Sequence, residues 1–71
     1  MWIKSQVAPR TTSLLLDDNG ALIGMVEYEK YTHVDRWKAL VIPSYNTIGR
    51  GQTKREAMRL VEGYYEKADE Q

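Results

Sequence analysis

The last third of the chain carries the pattern that most limits the fold, a capped amphipathic helix over residues 53–68. Thr53 and Glu56 form a T-x-x-E capping box, in which a hydroxyl and a carboxylate bind free N–H groups of the first turn. Apolar residues then recur at helical spacing, at Ala57, Leu60, Val61, Tyr64, Tyr65 and Ala68, with Met58 at the edge of the stripe. Gly63 interrupts the helix at a cost of about 1 kcal/mol relative to alanine, so it either permits close packing or is a weak point.

An Asn-Gly pair between two apolar runs predicts a β-hairpin earlier in the chain. Asn19 and Gly20 lie between a leucine run and a longer apolar segment, which is a strong short-range hairpin signal. We interpret residues 18–20 as a three-residue loop with Gly20 in the left-handed conformation. This register turns Leu14 and Leu16 toward the helix and groups more apolar residues there than a two-residue loop does.

A further strand follows this hairpin and completes the predicted sheet. In the expected register Val26 pairs with Val41 and Glu29 with Lys38. Residues 1–12 form either an irregular N-terminal segment or a short edge strand. The segment around Thr47 is either a loop or a further short strand. We therefore expect one α+β domain over residues 1–71, with an antiparallel sheet of three or four strands and one C-terminal helix packed on one face. The predicted strands cover about residues 13–17, 21–31 and 36–42, and the predicted helix about 53–68.

Apolar residues are also predicted on the sheet face that points away from the helix. They are Leu15, Ile23, Met25, Leu40 and Ile42. A single helix covers only one face, so either residues 1–9, with Trp2 and Ile3, fold over this set or another chain covers it. The second alternative predicts a protein partner or a homodimer, because an exposed apolar patch usually marks an interface.

The charges sum to zero but are unevenly placed along the chain. Residues 36–59 hold six basic groups and one acidic group, a net charge of +5. Four of them, Arg50, Lys54, Arg55 and Arg59, cluster at the start of the helix and form a candidate nucleic-acid site. Gly49 and Gly51 flank Arg50 there, in a loop that resembles an anion-binding turn, although the full phosphate-loop pattern is missing.

The composition offers little for catalysis. The chain has no cysteine and a single histidine, His33, which falls in a predicted turn. Asp17 and Asp18 are typical turn formers beside Asn-Gly. We therefore expect no catalytic residue, no metal site, no cofactor and no enzyme activity. The absence of a long apolar run or a signal-peptide core predicts a cytoplasmic protein without a membrane segment.

Two partial family resemblances cover the second half of the chain. Trp37-Lys-Ala39 and the later run from Ile48 to Ala57 resemble the three-stranded-sheet-plus-helix DNA-binding domain of ethylene-response factors and phage integrase N-terminal domains. The residues at matching places are Ile48, Gly49, Thr53, Glu56 and Ala57. This resemblance implies binding to DNA.

The same part of the chain is also similar to HicB-type antitoxins, on Pro43, Gly51, Thr53, Glu56 and Ala57. That resemblance implies inhibition of a partner ribonuclease. We expect a small non-enzymatic binding or regulatory protein that acts through protein–protein contact, by analogy a phage or mobile-element inhibitor of a nucleic-acid-handling enzyme. The alternative is a small nucleic-acid-binding domain that uses the basic cluster.

Overall fold

The computed structural model describes residues 1–30 and 33–69, which form one antiparallel sheet followed by one helix. The elements are β1 (Trp2–Lys4), β2 (Thr12–Leu16), β3 (Leu22–Tyr28), β4 (Trp37–Val41), β5 (Asn46–Gly51) and α1 (Lys54–Asp69). The strands lie side by side in chain order. The α+β prediction is confirmed, but the prediction of three or four strands is wrong, because the described residues contain five.

The two additional strands lie at the edges of the sheet. β1 pairs with β2 at one edge, and β5 pairs with β4 at the other. The glycines of β5 allow the helix to approach closely. A Cβ atom at Gly49 would lie 2.9 Å from Leu60 Cδ1, and one at Gly51 would lie 2.7 Å from Glu56 Cβ. A side chain at Gly51 would push the helix away from the sheet, whereas one at Gly49 would displace the flexible end of Leu60.

The β2–β3 hairpin has the predicted turn and then departs from the predicted register. Leu16 pairs with Leu22 and Gly20 has a φ of 82°, as the three-residue loop requires. A β-bulge between Leu15 and Leu16 then shifts the pairing by one residue, so Leu15 pairs with Gly24. The prediction that Leu15 points away from the helix is therefore wrong, because its side chain packs against the core.

The β3–β4 pairing keeps the predicted faces in a different register. Val26 pairs with Ala39 rather than with Val41, and a shift of two residues leaves each side chain on its original face. Glu29 and Lys38 meet in an ion pair of 3.2 Å instead of as directly paired residues. The part of the predicted 21–31 strand at Tyr31 lies outside the described residues.

The helix begins as its capping box predicts and packs through a narrower stripe than the sequence indicates. The Glu56 amide donates to Thr53 Oγ1 at 3.2 Å, and the Gln52 amide donates to Glu56 Oε2 at 2.8 Å. Ala57 and Val61 join Val26 and Ala39 in a core that is fully buried. Two other members of the predicted stripe, Leu60 and Tyr64, are 39% and 47% exposed.

Candidate functional site

The sheet face opposite the helix, called the outer face here, has no other described element lying over it. α1 packs on β3, β4 and β5 from the inner side. β1 does not fold across the outer face, because it extends the sheet as an edge strand beside β2. Trp2 lies opposite Leu15 on the inner side, packs against the core and donates its indole N–H to Glu62 Oε1 at 3.2 Å. The predicted fold-over of Trp2 and Ile3 across the outer face is therefore wrong.

An apolar row crosses the outer face from one edge toward the other. The paired positions Ile3, Leu14, Met25 and Leu40 follow each other across β1, β2, β3 and β4. Strand alternation assigns Ile23 and Ile42 to the same face. We call these six residues the apolar outer patch. Leu14, and not Leu15 as the sequence predicted, therefore lies on the outer face.

The members of the apolar outer patch differ in exposure. Ile3, at the sheet edge, is 38% exposed, whereas Leu40 is only 5% exposed and so contributes little to the exposed area of the patch. Leu14, Met25 and the two isoleucines are partly exposed. The sequence-predicted residues Ile23, Met25, Leu40 and Ile42 are thus on one face together, while Leu15 is on the other.

The remaining half of the outer face is polar and has its own ion pairs. Glu29 Oε1 lies 3.2 Å from Lys38 Nζ and 3.0 Å from an Arg50 guanidinium nitrogen. The pKa of Glu29 is held below its ordinary value, because Lys38 and Arg50 favour the ionised carboxylate. The hydrogen bond from Lys38 has the largest effect. Glu27 pairs in register with Lys38. Arg50 therefore belongs to the outer face and is separated from the other three predicted nucleic-acid residues.

A second surface lies on the helix side, where α1 leaves the inner surface of β1 and β2 uncovered. The space between them is a groove of about 720 Å³. It is lined by Trp2, Ile3, Lys4, Ser13, Lys54, Arg55, Met58, Arg59 and Glu62, and we call it the basic groove. The structure thus brings together Lys54, Arg55 and Arg59, as predicted, and adds Lys4 from the opposite end of the chain.

Lys4 and Trp2 are two of the groove residues that the sequence analysis did not assign to this site. They lie some fifty residues before the helix, and only the pairing of β1 with β2 brings them beside it. The helix side of the groove continues toward an aromatic pair, since Lys54 Nζ lies 6.0 Å from the ring centroid of Trp37. Trp37 in turn packs against Tyr28, with ring centroids 5.3 Å apart. No local pattern in the first ten residues indicates that Trp2 and Lys4 lie beside the helix.

The other positions considered for chemistry lie apart from both surfaces. His33 is exposed in the loop before β4. Asp17 shapes the hairpin turn, where its carboxylate accepts hydrogen bonds from the amides of Asn19 and Ala21 at 2.9 Å. Within residues 1–30 and 33–69, no three His, Cys, Asp or Glu side chains are grouped as metal ligands.

No helix in the described part of the chain has the length and apolar character needed to cross a membrane. No protein-family model, curated protein or solved structure matches this chain, so the two family resemblances rest on their motif residues alone.

Proposed function

We propose that this chain is a small non-enzymatic binding protein that acts through protein–protein contact at its outer sheet face. The observation that supports this proposal is the position of the apolar outer patch. It lies opposite the helix, and the N-terminal strand extends the sheet edge instead of covering it. Apolar side chains grouped on an uncovered face favour association, because contact with another surface removes them from water.

The occupant that fits this face best is a second copy of the chain. The polar half holds two acids, Glu27 and Glu29, and two bases, Lys38 and Arg50, so its formal charge is zero. Two copies related by a twofold axis would therefore meet without net repulsion. Their patches would pack as two sheets about 10 Å apart, as in a β-sandwich.

The size of the face sets the expected strength of this contact. Five strands about 4.8 Å apart and about five residues long give a face of roughly 20 by 17 Å. That is smaller than the roughly 800 Å² per partner of a standard interface. We therefore expect a dimer with a Kd nearer to 1 µM, about −8 kcal/mol, than to 1 nM. Inhibition of a nucleic-acid-handling enzyme, the role expected by analogy from the sequence, would compete with this dimer, because both contacts need the same face.

Sedimentation equilibrium of the full chain and two matched variants tests the proposal. Met25→Glu adds a charge at the centre of the patch, whereas Val7→Glu adds the same charge at a side chain that is 96% exposed and outside it. We expect the wild type and Val7→Glu to dimerise as concentration rises, and Met25→Glu to stay monomeric with an unchanged circular dichroism spectrum. A wild type that is monomeric to about 1 mM, where the free energy is only about −4 kcal/mol, would contradict the proposal.

A further inference from the structure

The cations of the basic groove form no ion pair within the described residues. Within the described residues, the ion pairs join Glu29 to Lys38 and Arg50 on the outer face. None of these pairs involves the four cations of the groove, which are Lys4, Lys54, Arg55 and Arg59. With Glu62 as the one carboxylate of its lining, the groove has a formal charge of +3. Cations gathered in a concave site focus the electrostatic potential and attract anions.

A polar side chain from β2 also lines the groove. Ser13 is only 3% exposed, yet it lines the groove. The Ser13 hydroxyl adds a neutral hydrogen-bonding group to the charged lining of the groove.

We propose that the basic groove binds single-stranded nucleic acid through its phosphate backbone. Arg55 and Arg59 are one helical turn apart, about 6 Å, a separation comparable with that of neighbouring phosphates in an extended strand. Lys4 faces them from β1, so cations line both sides of the groove. The partly buried Trp2 provides an aromatic surface for a base, and such combined charge and stacking is typical of single-strand binding.

The shape of the groove favours a single strand over a duplex. The cations line a recess between one helix and one short edge strand, and the protein is only 20 Å across in its shortest dimension. A single strand can enter such a recess, whereas a duplex would contact only its rim. Because the groove is on the helix side, pairing of two outer faces leaves it open, so this inference does not depend on the proposed dimer.

Fluorescence anisotropy of a labelled oligothymidine, titrated with the full chain at several salt concentrations, tests the inference. Three phosphate contacts predict that log K falls with log salt at a slope of about −2, since each contact contributes about 0.7. The double variant Arg55→Ala/Arg59→Ala is expected to lose at least tenfold in affinity, with a slope reduced by about 1.4. Arg50→Ala removes a positive charge from the outer face and is expected to leave the affinity within twofold.

Two further ligands separate this inference from its alternatives. A labelled duplex of the same sequence is expected to bind at least tenfold more weakly, and so is an oligoglutamate peptide of equal charge. Equal binding of the peptide would overturn the assignment to nucleic acid, and equal binding of the duplex would overturn the assignment to a single strand. Two results would show that the groove is not the binding site: no oligothymidine binding at low salt, or a loss of affinity in Arg50→Ala equal to that in Arg55→Ala/Arg59→Ala.

Discussion

Replacing Gly24 with alanine should destabilise the protein by forcing a new methyl group against the helix. Gly24 lies in β3 directly under the helix, and a Cβ atom built there falls 2.4 Å from Val61 Cγ1. Favourable carbon–carbon contacts are about 3.5–4.0 Å, so the two atoms would overlap by more than 1 Å. Val61 is fully buried and β-branched, which leaves it little freedom to rotate away.

The expected loss is about 2 kcal/mol, within the usual range of about 1–3 kcal/mol for an overpacked core. For a chain of this size, that corresponds to a fall in Tm of roughly 8–16 °C. Urea or thermal unfolding followed by circular dichroism measures both quantities. Gly63→Ala is the control. Nothing lies within 4 Å of a Cβ atom at Gly63, so alanine in this helix should stabilise the protein by about 0.5–1 kcal/mol.

A double-mutant cycle shows whether the contact with Val61 is the cause. Val61→Ala alone should cost about 2 kcal/mol, because it removes two buried methyl groups. If the clash is the cause, Gly24→Ala with Val61→Ala should cost about 1–2 kcal/mol less than the sum of the two single changes, since the smaller side chain makes room for the new methyl group. Additive costs, or a neutral Gly24→Ala, would refute the close packing of α1 on β3.

Two substitutions and one titration test other contacts. Thr53→Ala should cost about 1 kcal/mol in urea unfolding, since Thr53 Oγ1 caps the helix at the Glu56 amide; unchanged stability would contradict the cap. Glu29 should titrate by NMR below its ordinary pKa of 4.5, and the stability it provides should be present above that pH and lost as the pH falls through its lowered pKa; titration at or above 4.5 would contradict its ion pairs. Tyr65→Phe should cost about 0.5–1.5 kcal/mol, because it removes the hydrogen bond from the Tyr65 hydroxyl to the Ile23 carbonyl; no loss would mean that this bond is absent in solution.

The parts of the fold that could be predicted from sequence are those with local signals. The helix start follows from Thr53 and Glu56, whose side chains bond to backbone N–H groups within four residues. The hairpin turn follows from Gly20, which tolerates the left-handed conformation. Each of these signals acts over a few residues, so no knowledge of the rest of the fold is needed.

The register of β2 was not predictable in the same way. Leu14, Leu15 and Leu16 are identical, so they show no alternation that distinguishes one face from the other. The bulge that fixes their faces depends on what the sheet packs against, since Leu15 turns toward the core opposite Gly24. A one-residue difference in this segment is enough to exchange Leu14 and Leu15 on the outer face.

The two edge strands and the basic groove depend on long-range pairing. β1 has only three residues, and the glycines of β5 are unfavourable in strands, so neither segment has a clear pattern. The pairing of Lys38 with Arg50 carries Arg50 to the outer face, away from the helix residues that line the groove opposite Lys4. Neither the separation of Arg50 nor the addition of Lys4 follows from distance along the sequence.

The most direct test of the outer face is a set of methyl NMR spectra recorded while the wild type is diluted from about 1 mM to about 1 µM, a range that spans Kd values equivalent to about −4 to −8 kcal/mol. The methyl signals of Leu14, Met25 and Leu40 should shift with concentration, while that of Val61, buried under the helix, should stay in place. Signals that do not change anywhere in this range, or changes at the helix without changes at Met25, would contradict the assignment of the outer face as the contact surface.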